Sequence, residues 1–214
     1  MHRRLVLAGL AAGATSLAGC QRVLRSRESR TTEATFEVPT DTPLAVALDN
    51  GSVGLAPYDG DVLDVTATVS GPSQEAIEGV EVVAVENDGE LLLTRQVREA
   101  AASASVSVGL DVRYPRGLPV TRVETDNGSF DVAVTAITDE ARFQTANGSL
   151  QVALSPALDA TVEATTDNGS LTVEGFDFEV DETAGTASGT VGDGSNRLTL
   201  RTDNGSLRIV AYER

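Results

Sequence analysis

Apolar and polar residues alternate on both sides of a short phrase that recurs along the chain. In "RVETDNGSFDVAV" the apolar positions are Val123, Phe130 and Val132, and in "RFQTANGSLQVAL" they are Phe143, Leu150 and Val152. Ala164, Leu171 and Val173, and then Leu200, Leu207 and Ile209, repeat the rule around two further copies of "TDNGS". Val46, Leu48, Val53 and Leu55 flank the first copy, "LDNGS". A period of two puts one parity of a strand on one face, so each unit predicts strand, turn, strand. The turns carry Asn50, Asn127, Asn147, Asn168 and Asn204, followed by Gly51, Gly128, Gly148, Gly169 and Gly205. From Asn127 onward the asparagines are 20, 21 and 36 residues apart; the long gap contains Asp181–Ser195, which reads as a degenerate or looped-out copy.

Further strands are expected at Leu44–Leu48, Val62–Val69, Val80–Val85, Leu91–Arg95, Ser105–Val112 and Leu118–Thr125, separated by turn-forming clusters such as "PYDGD" and "ENDGE". One short helix fits Pro72–Val80 with Ser73 as its cap, and the alanine-rich Val97–Ala104 is the other helical candidate. Val, Ala, Thr and Leu dominate, and aromatics are only 4% with no Trp, so the core must be aliphatic and thin. The fold class is all-β.

Two architectures fit the repeat. Asn-Gly between alternating strands is a hairpin signal, which would give antiparallel hairpins in a β-sandwich or roll. Alternatively, each unit of about 20 residues is one coil of a β-solenoid, with strands stacked in parallel on the next coil. A hairpin sets Glu124 opposite Asp131 and Arg201 opposite Arg208, which like charges disfavour. Stacked coils instead align Glu124, Gln144 and Thr165, and separately Asp131, Gln151 and Thr172. The charges and the near-constant period favour the solenoid.

The N-terminus changes the picture. Arg3 and Arg4 precede an apolar run, Leu5–Leu17, that ends at "LAGC". The run is short for a membrane span, and Leu17–Cys20 resembles the lipobox of prokaryotic lipoproteins. Residues 1–19 are therefore expected to be a signal peptide and Cys20 the lipidated residue. Residues 20–35 read as a basic flexible tether, 36–119 as an N-terminal β-strand region, and 120–214 as the repeat region continuous with it.

Cys20 is the only cysteine and His2 the only histidine, and both fall in or at the signal. That leaves the body no disulfide, no zinc ligand set of Cys or His, and no His- or Cys-based nucleophile pair. All 16 basic residues are Arg; from Thr31 on, 10 Arg face 31 Asp and Glu. Nucleic acid is not an expected partner for such a body. The acidic, lysine-free composition resembles that of proteins from extreme halophiles, where molar salt screens self-repulsion.

The repeated phrase admits three readings. As structure, Gly supplies positive φ, Asn tolerates it, and stacked turns form an Asn ladder. As modification, each Asn-Gly-Ser is an N-glycosylation acceptor. As a calcium ladder, Asp49, Asp126, Asp167 and Asp203 would share ions, but Ala146 interrupts the series, so a solvated acidic surface fits better and no metal or cofactor is expected. Carboxylate catalysis has two weak groupings, Arg122 with Glu124 and Asp131, and Asp177 with Glu179 and Asp181; neither has a distinctive spacing.

"YPRGLPV…TDNGSF", together with "VGLAPYDGDVLDVTATV" and the later "NGS" units, resembles the prokaryotic β-repeat "putative adhesin" family, domains of unknown function. The resemblance spans Leu44 to the C-terminus. It implies a repetitive β fold at the cell surface and brings no catalytic residues. The expected function is a non-enzymatic, lipid-anchored, adhesin-like or envelope-scaffolding role on the outer face of the cytoplasmic membrane, with envelope proteins or surface glycans as partners. A carbohydrate-binding or carbohydrate-active β-helix and an envelope stress-response component are the alternatives.

Overall fold

The structure, a computed structural model, describes residues 27–98 and 105–212. The expected signal peptide and Cys20 lie outside those residues, as does most of the helical candidate Val97–Ala104.

The chain begins with β1 (Glu28–Glu37), β2 (Leu44–Asn50), β3 (Val53–Tyr58) and β4 (Val62–Gly71), then α1 (Gln74–Glu78). β5 (Val80–Asn87), β6 (Glu90–Val97), β7 (Ser107–Pro115), β8 (Val120–Asn127) and β9 (Phe130–Val134) follow. Next come β10 (Glu140–Asn147), β11 (Leu150–Leu154), β12 (Ala160–Asn168) and β13 (Leu171–Glu174). β14 (Glu179–Asp181), β15 (Thr186–Val191), β16 (Asn196–Asn204) and β17 (Leu207–Ala211) end the described chain.

These strands form two mixed, mostly parallel sheets. One runs β14-β15-β12-β16-β10-β8-β2-β6-β5 and the other β1-β4-β7-β3-β9-β11-β17-β13. The apolar parity of each strand meets that of the facing sheet in one aliphatic core, in which Val123, Val132, Phe143, Val152, Leu198, Leu200 and Ile209 are fully buried. The fold is all-β, as the alternation requires.

Each Asn-Gly-Ser turn carries the chain from one sheet to the other, so the strands it joins are not hairpin partners. β8 pairs in parallel with β10, matching Val123 with Phe143 and Glu124 with Gln144. β9 pairs in parallel with β11, matching Phe130 with Leu150 and Asp131 with Gln151. Glu124 and Asp131 thus lie in different sheets, each bonded to a glutamine amide, at 3.1 Å and 3.2 Å.

The stacking order departs from a solenoid in which every coil lies beside the next in sequence. The fifth unit is inserted between the third and the fourth: β16 pairs with β10 on one side and β12 on the other. Arg201, not Thr165, is therefore the neighbour of Gln144, and Arg208, not Thr172, the neighbour of Gln151. The expected rows Glu124–Gln144–Thr165 and Asp131–Gln151–Thr172 each hold an arginine between their second and third members. The cause lies in Asp181–Ser195, which is not a copy of the turn unit. Its β15 pairs antiparallel with the outer edge of β12, so only the inner edge of β12 is open to the returning chain.

The expected tether, residues 20–35, is in part a strand. Glu28–Thr35 is not free chain: β1 pairs antiparallel with β4 along its whole length, from Glu28 opposite Gly71 to Glu37 opposite Val62. Only Phe36 is buried in it, because an edge strand can be held by main-chain bonds and β-branched Thr with little apolar signal. α1 closes the core beside β1 and β5. It forms as expected, with Ser73 Oγ accepting from the Ala76 amide at 3.3 Å, and buries Ala76 and Ile77. At the opposite end the stacked rings of Phe176 and Phe178, 5.2 Å apart, pack against the core.

Candidate functional site

The five turns come together along one edge of the molecule. Following the sheets, their order is Asn50, Asn127, Asn147, Asn204, Asn168. Each side-chain amide nitrogen donates to the carbonyl oxygen of the asparagine before it: Asn127 to Asn50 at 3.0 Å, Asn147 to Asn127 at 3.0 Å, Asn204 to Asn147 at 3.1 Å, and Asn168 to Asn204 at 3.2 Å. This is the asparagine ladder expected of stacked identical turns, in the tertiary rather than the chain order. The main chain runs a parallel row: the amides of Gly51, Gly128, Gly148 and Gly205 donate to the carbonyls of Asn127, Asn147, Asn204 and Asn168, at 2.8–3.0 Å. The Ser149 and Ser206 amides donate in the same way to the hydroxyl oxygens of Ser129 and Ser149, at 3.1 Å and 3.2 Å.

The expected positive φ accounts for two of the five glycines and not for the other three. Gly51 and Gly148 have positive φ, at 142° and 154°, but Gly128, Gly169 and Gly205 do not. In all five, a Cβ would fall within 2.0 Å of a carbonyl oxygen in the adjacent strand or turn. Close approach of backbone to backbone excludes a side chain at all five, and at Gly51 and Gly148 the positive φ adds to it.

The threonines of the phrase escaped notice in the sequence, although they share the parity of Val123 and Phe143. Thr125, Thr145, Thr166 and Thr202 are all buried. Thr145 donates to Gly128 O at 2.9 Å, Thr202 to Gly148 O at 2.8 Å and Thr166 to Gly205 O at 2.8 Å, which ties each strand to the neighbouring turn. Thr125 Oγ1 has no partner among the described residues.

The aspartates of the phrase follow the same order, with Ala146 in the middle of the row. Arg201 bridges Asp167 at 2.7 Å and Asp203 at 2.9 Å, and Arg95 pairs with Asp49. The row is thus interleaved with guanidinium groups, and among the described residues no three acidic side chains converge in a metal-holding geometry. Of the catalytic groupings, Arg122 does meet Glu124, at 3.6 Å, but its shorter contact is Glu90 at 2.7 Å, and Asp131 belongs to the other sheet. Asp181 accepts the Thr183 and Ala184 amides at 2.9 Å, which makes it a turn-holding residue.

N-glycosylation would attach at the amide nitrogens. In Asn127, Asn147, Asn204 and Asn168 that nitrogen is a ladder donor, and in the last three it also reaches a main-chain carbonyl, at 3.3–3.4 Å. Neighbouring rungs are one strand spacing apart, about 4.8 Å.

The architecture and the repeated edge can be set beside known proteins. No curated protein matches the chain. A solved structure from Clostridium sporogenes, described as a "putative cell adhesion protein", superposes with a TM-score of 0.53 at 10% identity, covering 86% of this chain and 100% of that one. A "putative adhesin" from Parabacteroides merdae aligns with a TM-score of 0.40 at 13% identity over 69% of this chain and 64% of the other. At such identities the first likeness speaks to the fold. The family model described as Toastrack DUF4097 matches residues 18–210, nearly the whole chain and all five turns. The chain belongs to the Toastrack DUF4097 family.

Proposed function

We propose that this protein is a lipid-anchored, non-enzymatic module of the cell surface, whose parallel, solenoid-like stack of turns presents a rigid face to envelope components or neighbouring cells. The observation that carries the reading is the asparagine ladder: five turns locked by side-chain and main-chain bonds into one continuous polar edge. Such an edge costs little to order on contact, because its rotamers are already held. The description of the Clostridium sporogenes structure as a "putative cell adhesion protein" agrees with this role. The anchor reading rests on "LAGC" at Leu17–Cys20; among the described residues no helix is long and apolar enough to cross a membrane. The engaged amide nitrogens favour bare asparagines on the folded edge.

Intact mass and peptide mapping of the full chain from its native membrane test the anchor and the sequons together. A lipid-sized addition on Cys20 is expected, and a chain still starting at Met1 without one overturns the anchor. Binding of the full chain to isolated envelopes tests the role. Loss of binding when the exposed Ser129, Ser149 and Ser206 are replaced by Glu supports the edge as the docking face. Turnover of an envelope polysaccharide that one Asp or Glu substitution abolishes would replace this reading with an enzymatic one.

A further inference from the structure

Asn-Gly is the sequence in which an asparagine most readily loses its amide, because glycine leaves the following main-chain nitrogen unobstructed. The chain has five such pairs on one exposed edge, and by sequence alone they are equivalent. The structure makes them unequal. The nucleophile in this chemistry is the glycine amide, and four of the five are tied into the ladder: Gly51, Gly128, Gly148 and Gly205 each donate to the next turn's carbonyl. Gly169 belongs to the last turn of the stack and, among the described residues, has no neighbouring turn to receive its N–H and makes no such bond. The side-chain Oδ1 atoms of Asn50, Asn127, Asn147 and Asn204 are likewise held by an incoming side-chain amide, whereas Oδ1 of Asn168 accepts none among the described residues. Both Asn168 and Gly169 are exposed.

We propose that Asn168 is the deamidation site of the folded protein and that the ladder protects the other four asparagines. The Gly169 nitrogen attacks the side-chain carbonyl carbon of Asn168. A C–N bond forms, the bond to Nδ2 breaks, and ammonia leaves with the proton that Gly169 gives up. Water then opens the resulting succinimide to aspartate or isoaspartate, so the balance is one water in and one ammonia out. The product replaces a donor by a carboxylate where Asn168 Nδ2 now meets Asp203 O at 3.3 Å and Asn204 Oδ1 at 3.2 Å. Acceptor then faces acceptor, beside Asp167 and Asp203, and the end rung detaches from the ladder.

The test is peptide mapping of the full chain after incubation in mildly alkaline buffer, native in one arm and fully denatured in the other. In the native arm the mass gain and the isoaspartate are expected at Asn168, at a rate at least about fivefold above each of the other four, the factor that a single retained hydrogen bond supplies. In the denatured arm the five rates are expected to converge. Equal rates in the native arm, or a different asparagine leading, would overturn the proposal. A Gly169→Ala chain is not a usable control, because a Cβ there meets Gly205 O; Asn168→Gln supplies it, and should leave the native protein without a fast site.

Discussion

The side chain of Asn196 donates to the main-chain carbonyl of Asp159 across 2.7 Å, at the point where the last turn unit enters the stack. Its other atom, Oδ1, accepts the Asp139 amide at 2.9 Å. Asp139 precedes β10 and Asp159 precedes β12, so one carboxamide spans the two strands between which β16 inserts. Asp159 returns a second clamp, its carboxylate accepting the Ser195 amide at 3.0 Å. Asn196→Ala removes both side-chain bonds and should cost about 1–3 kcal/mol, within the range for partly buried hydrogen bonds lost without replacement. Denaturant titration with unchanged slope checks it; a change below a few tenths would mean the insertion is held by strand pairing alone.

The same clamp carries a pH dependence. The Ser195 amide and its neighbours hold the Asp159 carboxyl below its ordinary value of 3.8. A depressed folded pKa gives stability that is present above the ordinary value and lost as pH falls through the lowered one. Asp159→Asn keeps an acceptor but not the charge. The stability gap between the parent chain and this variant should be open at neutral pH and close in acid, as read by melting temperature across the range.

Thr202→Val and Thr125→Val should behave oppositely although the positions are equivalent in sequence. The first strips the Gly148 carbonyl of a buried donor, and a loss of about 1–2 kcal/mol is expected. The second replaces a buried hydroxyl that has no partner among the described residues, and should be neutral or stabilising. Equal losses would show that Thr125 is satisfied in solution.

Glycine substitutions separate crowding from dihedral strain. Gly89 has φ of 86° but open space around a Cβ, so Gly89→Ala should cost about 1 kcal/mol, the strain of a left-handed alanine. Gly128 has no positive φ, yet a Cβ would run into Gly51 O. Gly128→Ala should therefore cost more than Gly89→Ala, or prevent folding, in a paired comparison of chemical stability and expression.

Tyr114 is fully buried with its hydroxyl donating to Ala133 O at 2.7 Å, and burial pushes its pKa up to about 12. A raised folded pKa means the stability it protects is complete below the ordinary tyrosine value of 10.0 and is lost as pH rises toward 12. Phenolate absorbance should show one tyrosine ionising with unfolding in that window, and Tyr114→Phe should remove that step.

Much of this molecule was legible in its residues. The period of two around each turn determined that Val123, Phe143, Leu200 and their partners face one core, because a strand has no other way to segregate alternating side chains. The like charges at Glu124 and Asp131 already argued against hairpins, and Ser73 marked the helix. Buried Thr145 and Thr202 could have been found from parity alone. β1 could not, since an edge strand held by main-chain bonds leaves almost no apolar trace.

What only the tertiary structure decided is which copy touches which. Five near-identical turns offer interchangeable edges, so local sequence contains no preference for Asn147 beside Asn204 over Asn147 beside Asn168. That choice was made at a distance, by β15 occupying the outer edge of β12 and by Asn196 reaching both Asp139 and Asp159. The sequence by itself determined the unit and its faces, through side-chain periodicity. The order of the units, the interleaved arginines and the end position of Asn168 in the row follow from competition for strand edges, which is settled only when the whole chain is folded.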